Sequence, residues 1–134
     1  MLKVVFDTNV YISALSFPES KAEEAYILAV NGEVELYTSV PILTETAGKL
    51  REKFQWNDDR ITAVIKHISR TAAVIKPRLK LNILTDEPDN RILECAEEIK
   101  ADLIVTGDKH LLSLKEYKGT GITRISGLLY TLSG

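Results

Sequence analysis

The chain has 134 residues, 45% of them apolar and 27% charged, a length that suits one domain and leaves no room for two cores. This composition excludes disorder and low-complexity character. The longest apolar run, Ala25–Val30, falls far short of the ~20 residues a membrane span requires, and a lone Cys95 excludes an internal disulfide or a Cys-rich zinc site. A net charge of −2 and a pI near 5.7 argue against a dedicated basic nucleic-acid module. They do not exclude an enzyme that brings cations to its site. With no apolar leader in its first ten residues, residues 1–134 read as a single cytoplasmic domain.

Leu2–Phe6 is β-branched and aromatic, and predicts the first strand. Ser20-Lys-Ala-Glu23 has capping-box spacing and opens a helix through Ala22, Ala25, Tyr26 and Ala29, stopped at Gly32. Val34–Thr38 alternates as a second strand. Ser39 then offers an N-cap, with Pro41 in the first turn of a helix reaching about Lys53. Asn57-Asp58-Asp59 opens a third helix with Ile61, Val64, Ile65 and Ile68. Ala73–Ile75 is a third strand, and Asp86-Glu-Pro-Asp89 starts a periodic helix carrying Ile92, Leu93, Ala96 and Ile99. Leu103–Val105 is an apolar strand followed by Thr106-Gly107-Asp108 and a short helix over Leu111–Leu114. Ile122–Ile125 is a last strand before a C-terminal helical turn. Short apolar strands alternating with helices imply a three-layer α/β/α fold around a four- or five-stranded, mainly parallel sheet. Ligands of such folds sit at the carboxyl ends of the strands.

Acids gather at that edge. Asp7 follows the first strand directly, and Asp108 stands three residues beyond Val105. On a helical wheel Asp89 falls beside Ile92, Leu93 and Ala96, at the start of the buried stripe. Carboxylates converging on one edge repel each other, and a divalent ion is the usual remedy, Mg²⁺ or Mn²⁺ for hard oxygen donors. Each acid also has an ordinary structural alternative. Asp7 could cap a helix over the Asn9–Ile12 segment, Asp89 could favour a helix dipole from the first turn, and Asp108 could be an N-cap.

Four stretches, in this order, resemble the PIN-domain nucleases: Val4-Val-Phe-Asp-Thr-Asn-Val10, Ser39-Val-Pro-Ile-Leu-Thr-Glu45, Asp86-Glu-Pro-Asp-Asn-Arg-Ile-Leu-Glu-Cys-Ala96, and Ala101-Asp-Leu-Ile-Val-Thr-Gly-Asp108 with Lys109-His-Leu-Leu112 after it. The nearest flavour is that of the toxins of toxin–antitoxin pairs of the VapC type. The resemblance implies a catalytic and metal-binding quartet of Asp7, Glu45, Asp89 and Asp108, Glu45 acting directly or through water. Thr8, Asn9 and Thr106 would support it. It also implies Mg²⁺- or Mn²⁺-dependent hydrolysis of RNA phosphodiester bonds with one or two ions, leaving a 5′-phosphate and a 3′-hydroxyl. A homodimer and a small antitoxin partner are implied too. The wheel alone puts Glu45 away from the stripe of Leu43, Ala47, Leu50 and Phe54, on a solvated face, and Asp86 reads as a cap or outer-shell group. Two bound Mg²⁺ would turn the net charge from −2 to +2, the sign that attracts RNA.

Lys49, Arg70, Lys76, Arg78 and Lys80 are candidate RNA contacts, the alternating trio 76, 78 and 80 facing one side of an extended segment. The same trio could simply keep an exposed sheet edge from aggregating. His67 and His110 have no convergent ligand set, so zinc is not expected, and Cys95 reads as packing. Phe17, Tyr26 and Trp56 are candidates for a dimer contact. Two rival readings are a PIN-fold RNA-processing nuclease outside a toxin pair and a non-catalytic RNA- or protein-binding scaffold. An aspartate-based phosphatase would need a second acid where this chain has Thr8-Asn9.

Overall fold

The computed structural model describes residues 1–133. Its elements run β1 (Lys3–Phe6), α1 (Thr8–Ser16), α2 (Lys21–Val30), β2 (Glu35–Ser39), α3 (Val40–Glu52), α4 (Asp58–Thr71) and β3 (Ala73–Ile75). They continue with α5 (Glu87–Ile99), β4 (Leu103–Val105), α6 (Lys109–Ser113), β5 (Glu116–Tyr117), β6 (Thr120–Thr123) and α7 (Ile125–Ser133). The sheet order is β3-β2-β1-β4-β6-β5, parallel throughout except for the β5–β6 pair. The mainly parallel α/β architecture is as expected, with one strand more than four or five. That strand, β5, is two residues long. Lys118 and Gly119 (φ 47° and 86°) make its tight turn into β6, and no alternating run marks it in the sequence.

From β1 the chain steps outward to β2 and β3, then returns to place β4 on the other side of β1. Right-handed crossovers in opposite directions put helices on both faces of a parallel sheet. They also open a crevice where the direction reverses, here between β1 and β4. Val4, Val5 and Phe6 of β1 and Ile104 and Val105 of β4 are fully buried. They pack with Ile92, Leu93 and Ala96 of α5, Ile42 of α3 and Tyr11 of α1. At about 25 cal/mol per Å² of apolar surface, each such side chain contributes roughly 1.5–3 kcal/mol. A satellite cluster joins Ile12, Leu50 and Ile61, with Trp56 against it.

Several local signals act as read. The Ser20 hydroxyl accepts from the Glu23 amide, and Asn57 from the Arg60 amide. The Glu23 carboxylate bonds back to the Glu19 amide instead of closing a box on Ser20. Ser39 takes the N-cap position of α3 without a side-chain cap bond. That helix ends at Glu52, so Phe54 leaves the apolar stripe and is exposed, while Ile42 and Thr46 join the buried face. The C-terminal turn is a nine-residue helix with Leu128 buried against the core, and the preceding strand ends two residues early, at Thr123. None of the described helices is long and apolar enough to cross a membrane.

α5 is buried on almost every side from Asp89 to Ala96. One face meets β1, β2 and β4. Its outer face carries Asn90, Glu94 and Glu98 at four-residue spacing, and these side chains hold the extended segment between β3 and α5. Asn90 Oδ1 accepts from the amides of Ile83 and Leu84 at 3.0 and 2.8 Å. Glu94 Oε2 accepts from the Leu81 amide at 2.7 Å, and Glu98 Oε1 from the Arg78 amide at 2.8 Å. Arg91 bridges Glu87 and Glu94 and donates to the Leu81 carbonyl. A largely exposed segment without ladder bonds is thus anchored to α5 by side chains that accept from its amides.

Candidate active site

The register of β1 and β4 builds the centre of the site. Phe6 pairs with Val105, so Asp7 and Thr106 are the next residues on adjacent parallel strands. The ladder runs one step further, with the Asp7 amide donating to Val105 at 3.0 Å and the Thr106 amide to Thr123 at 2.9 Å. Thr106 Oγ1 donates to Asp7 Oδ2 at 2.6 Å and accepts the Asp108 amide at 2.9 Å. A hydroxyl has one proton, so accepting from Asp108 leaves it to be given to Asp7. Thr106 therefore fixes both acids at once.

The three aspartates part company over their structural alternatives. Asp7 occupies the N-cap position of α1, a helix only hinted at in the sequence, yet makes no side-chain cap bond. Only 6% of it is exposed. Burial raises its carboxyl, and the Asp108 charge adds to this. The Thr106 hydroxyl, the Lys49 charge and the Thr8 amide work the other way. Asp89 sits in the first turn of α5, 5% exposed, and its Oδ2 is buried with no hydrogen-bond partner. Burial pushes its carboxyl up to about 7, helped by the charges of Asp108, Asp86 and Asp7 and opposed by Lys49. Asp108 does serve as a cap: its Oδ1 accepts from the His110 and Leu111 amides at 2.8 and 3.1 Å, opening α6. Asp86, at the N-cap of α5, makes no side-chain cap bond and is exposed.

Glu45 is half-buried rather than on a solvated face. Its Oε1 lies 3.3 Å from Lys49 Nζ, with the two side chains 23% and 25% exposed. Lys49 Nζ also donates to Asn9 Oδ1 at 3.3 Å, which links α3 to α1. Asn9 thus meets the cluster through Lys49, while Thr8 is buried and offers its amide to Asp7. Among the described residues, no three His, Cys, Asp or Glu side chains stand close enough together to enclose an ion. The donor set is nonetheless of the right chemistry for a hard divalent cation. It is all oxygen, crowded with like charge, and includes a buried Asp89 oxygen that no protein donor reaches. A recess of about 420 Å³ lined by Ile83, Leu84, Thr85, Asp86 and His110 opens beside it.

The candidate RNA contacts divide. Lys49 is committed to the acids. Arg78 is fixed on Glu98 by a two-point ion pair, with nitrogens 3.3 and 3.0 Å from the two carboxylate oxygens. Lys76 and Lys80 are exposed and, with Arg78, line a larger groove of about 880 Å³ floored by Val40, Val74 and Leu79 at the β3 edge of the sheet. That groove contains none of the four acids. Arg70 ends α4, exposed and outside the groove. His67 accepts or donates at Nδ1 to the Tyr26 hydroxyl, 2.6 Å away, and His110 is exposed. Cys95 is fully buried, its thiol pushed up to about 12. Of the candidate dimer residues, Tyr26 is buried and bonded inside the fold, and Trp56 is half-buried beneath Arg60, whose guanidinium lies 3.6 Å from its ring centre. Only Phe17, 54% exposed, is open to a partner. Sequence reasoning missed the Lys49–Asn9 bond and the Asn90–Glu94–Glu98 clamp. The second had a legible sign in its four-residue spacing.

Residues 3–110 match the PIN domain family model. An uncharacterized protein of Methanocaldococcus jannaschii, MJ1680, is 38% identical over 120 residues, covering 86% of this chain and 76% of that protein. Solved structures share the fold at low identity. VapBC-1 from nontypeable Haemophilus influenzae aligns with a TM-score of 0.64 at 12% identity over 93% of this chain and 99% of that one. VapBC2 from Rickettsia felis, bound to a DNA fragment from its promoter, gives 0.62 at 15% over 90% and 97%. PAE2754 from Pyrobaculum aerophilum gives 0.63 at 17% over 98% and 90%. With its four sequence stretches in order and its acids at the β1–β4 crevice, the chain belongs to the PIN-domain family, whose members are nucleases.

Proposed function

We propose that this chain is a Mg²⁺- or Mn²⁺-dependent endoribonuclease, the toxin of a toxin–antitoxin pair. The observation that carries the reading is the Asp89 carboxylate, buried with one oxygen unpartnered and crowded by Asp7 and Asp108. A buried charge without a donor costs several kcal/mol, roughly, unless a cation receives it. Asp7, Asp89 and Asp108 would hold the ion by drawing closer together than they stand here, with Glu45 on it directly or through water. The bound ion would neutralise the scissile phosphate and make water a better nucleophile. Thr106 orients Asp7 and ties Asp108 to it, and the Thr8 amide favours the ionised form of Asp7 against the larger opposing effect of burial. Exposed Lys76 and Lys80 would receive backbone phosphates outside the crevice.

The partners in this reading are single-stranded RNA, a second copy of the chain and a small antitoxin protein. The fold shared with the two VapBC structures supports the last of these. One observation favours a different reading, a binding scaffold without turnover: Asp108 is already spent on capping α6. Purified protein decides between them. Cleavage of single-stranded RNA should need Mn²⁺ or Mg²⁺, stop in chelator and return when the ion is restored. It should fall by about a hundredfold or more in Asp89→Asn. Equal cleavage in chelator contradicts the metal mechanism, and no cleavage under any ion favours the scaffold.

A further inference from the structure

The recess lined by Ile83, Leu84, Thr85, Asp86 and His110 measures about 420 Å³, inside the roughly 300–1,000 Å³ usual for small-ligand clefts. Two of its residues are bonded directly to acids of the crevice. The His110 amide donates to Asp108 Oδ1 at 2.8 Å, and the Asp86 carbonyl accepts from the Asp89 amide at 3.2 Å. Its wall is held from behind by Asn90, which is fully buried. Asn90 Oδ1 takes the Ile83 and Leu84 amides, and its Nδ2 donates to the Leu84 and Asp86 carbonyls at 2.8 and 3.4 Å. The Asp86 side chain is exposed and makes no cap bond. Among the described residues it pairs with no cation. The recess therefore combines an imidazole, two aliphatic side chains and an uncommitted carboxylate.

We propose that this recess receives one guanine base of the RNA, beside the acids, and selects it through the Asp86 carboxylate. The proposal deepens the ribonuclease reading above and rests on it. A base splayed out of a single strand stacks on an imidazole and lies against apolar side chains such as Ile83 and Leu84. What distinguishes the bases is the edge they turn to Asp86. An ionised carboxylate accepts hydrogen bonds and donates none. The Watson–Crick edge of guanine carries two adjacent donors, N1–H and the 2-amino group, which match its two oxygens. Adenine and cytosine set a ring-nitrogen acceptor next to their amino group, and uracil flanks its single N–H with carbonyls. Each of these turns a lone pair on the carboxylate.

The test measures binding of short oligouridines carrying one central guanine, inosine or adenine, by fluorescence anisotropy in chelator. Without metal there is no cleavage by the proposed mechanism, so the readout is affinity alone. The guanine RNA should bind on the order of tenfold more tightly than the adenine RNA. Inosine keeps N1–H but lacks the 2-amino group, and should fall between them. Only the guanine RNA should strongly shift the NMR signals of the His110 ring and the Thr85 and Asp86 amides. Asp86→Asn exchanges an acceptor oxygen for a donor and should erase the preference. It should melt like wild type, because the Asp86 side chain caps nothing and Asn suits that position equally well. Equal affinity for the three RNAs, or a guanine preference that survives in Asp86→Asn, would overturn the proposal. Failure of the nuclease reading looks different: RNA then stays uncut with Mn²⁺ or Mg²⁺ while the guanine preference and its loss in Asp86→Asn persist.

Discussion

Two buried carboxylates on one helix, Asp89 and Glu94, meet opposite fates. Glu94 is enclosed by donors, with the Leu81 amide and the Arg91 guanidinium each 2.7 Å from its Oε2. Five residues earlier Asp89 has a buried oxygen with no partner and three acids acting on it. Burial alone therefore does not mark function. A buried acid whose charge is fully received is a structural rivet, which here pins the segment between β3 and α5 to the helix. One whose charge is left open, in company with others, is where the proposed cation would bind.

Removing each acid should separate the two kinds. Glu94→Ala strands the Leu81 amide and part of Arg91, and should cost about 3–5 kcal/mol, read by urea unfolding. If Glu94→Ala is as stable as wild type, the clamp is decorative and the contrast fails. The next effect is a pH dependence. The Asp89 carboxyl sits at about 7 in the fold against an ordinary 3.8, so the folded protein binds this proton more tightly than the unfolded chain. The resulting stability is complete below about pH 4 and is lost as pH rises through 7. Melts in chelator should fall across that window in wild type and fall less in Asp89→Asn.

Thr106→Val should cost about 1–3 kcal/mol, since it leaves the Asp108 amide without an acceptor and Asp7 without its donor. It should also raise the Asp7 carboxyl further, whereas Thr106→Ser should restore most of the loss. The smallest stability effect belongs to the exposed rim. Lys76→Ala and Lys80→Ala should melt like wild type, while RNA affinity drops and its salt dependence becomes shallower. A melting change there, without a binding change, would assign these lysines to the fold.

Which of these roles the sequence could reveal follows from the range of the interactions. Asp7 and Asp108 were legible because a strand end fixes where the next residues lie, and Ala73–Ile75 and Leu103–Val105 are found where their apolar runs put them. Asp89 was legible from helical period. Whether an acid caps or waits is a tertiary question: Asp7 and Asp108 share a cap position at a helix start, and only the strand register decides that Asp7 bonds Thr106 while Asp108 bonds α6. The half-burial of Glu45 depends on Lys49 folding over it toward Asn9, a contact across forty residues that no local pattern announces. β5 was missed because two residues carry no period at all.

The central claim is that Asp89 is open to a cation in a way Glu94 is not, and thermal melts of wild type and Asp89→Asn with chelator and with Mn²⁺ test it most directly. Wild type should gain stability from the ion by mass action. Asp89→Asn should melt at or above wild type in chelator, because a repelling charge is gone, and should gain nothing from Mn²⁺. An Asp89→Asn protein that melts well below wild type in chelator yet keeps the full Mn²⁺ gain would contradict the account and make Asp89 a structural acid.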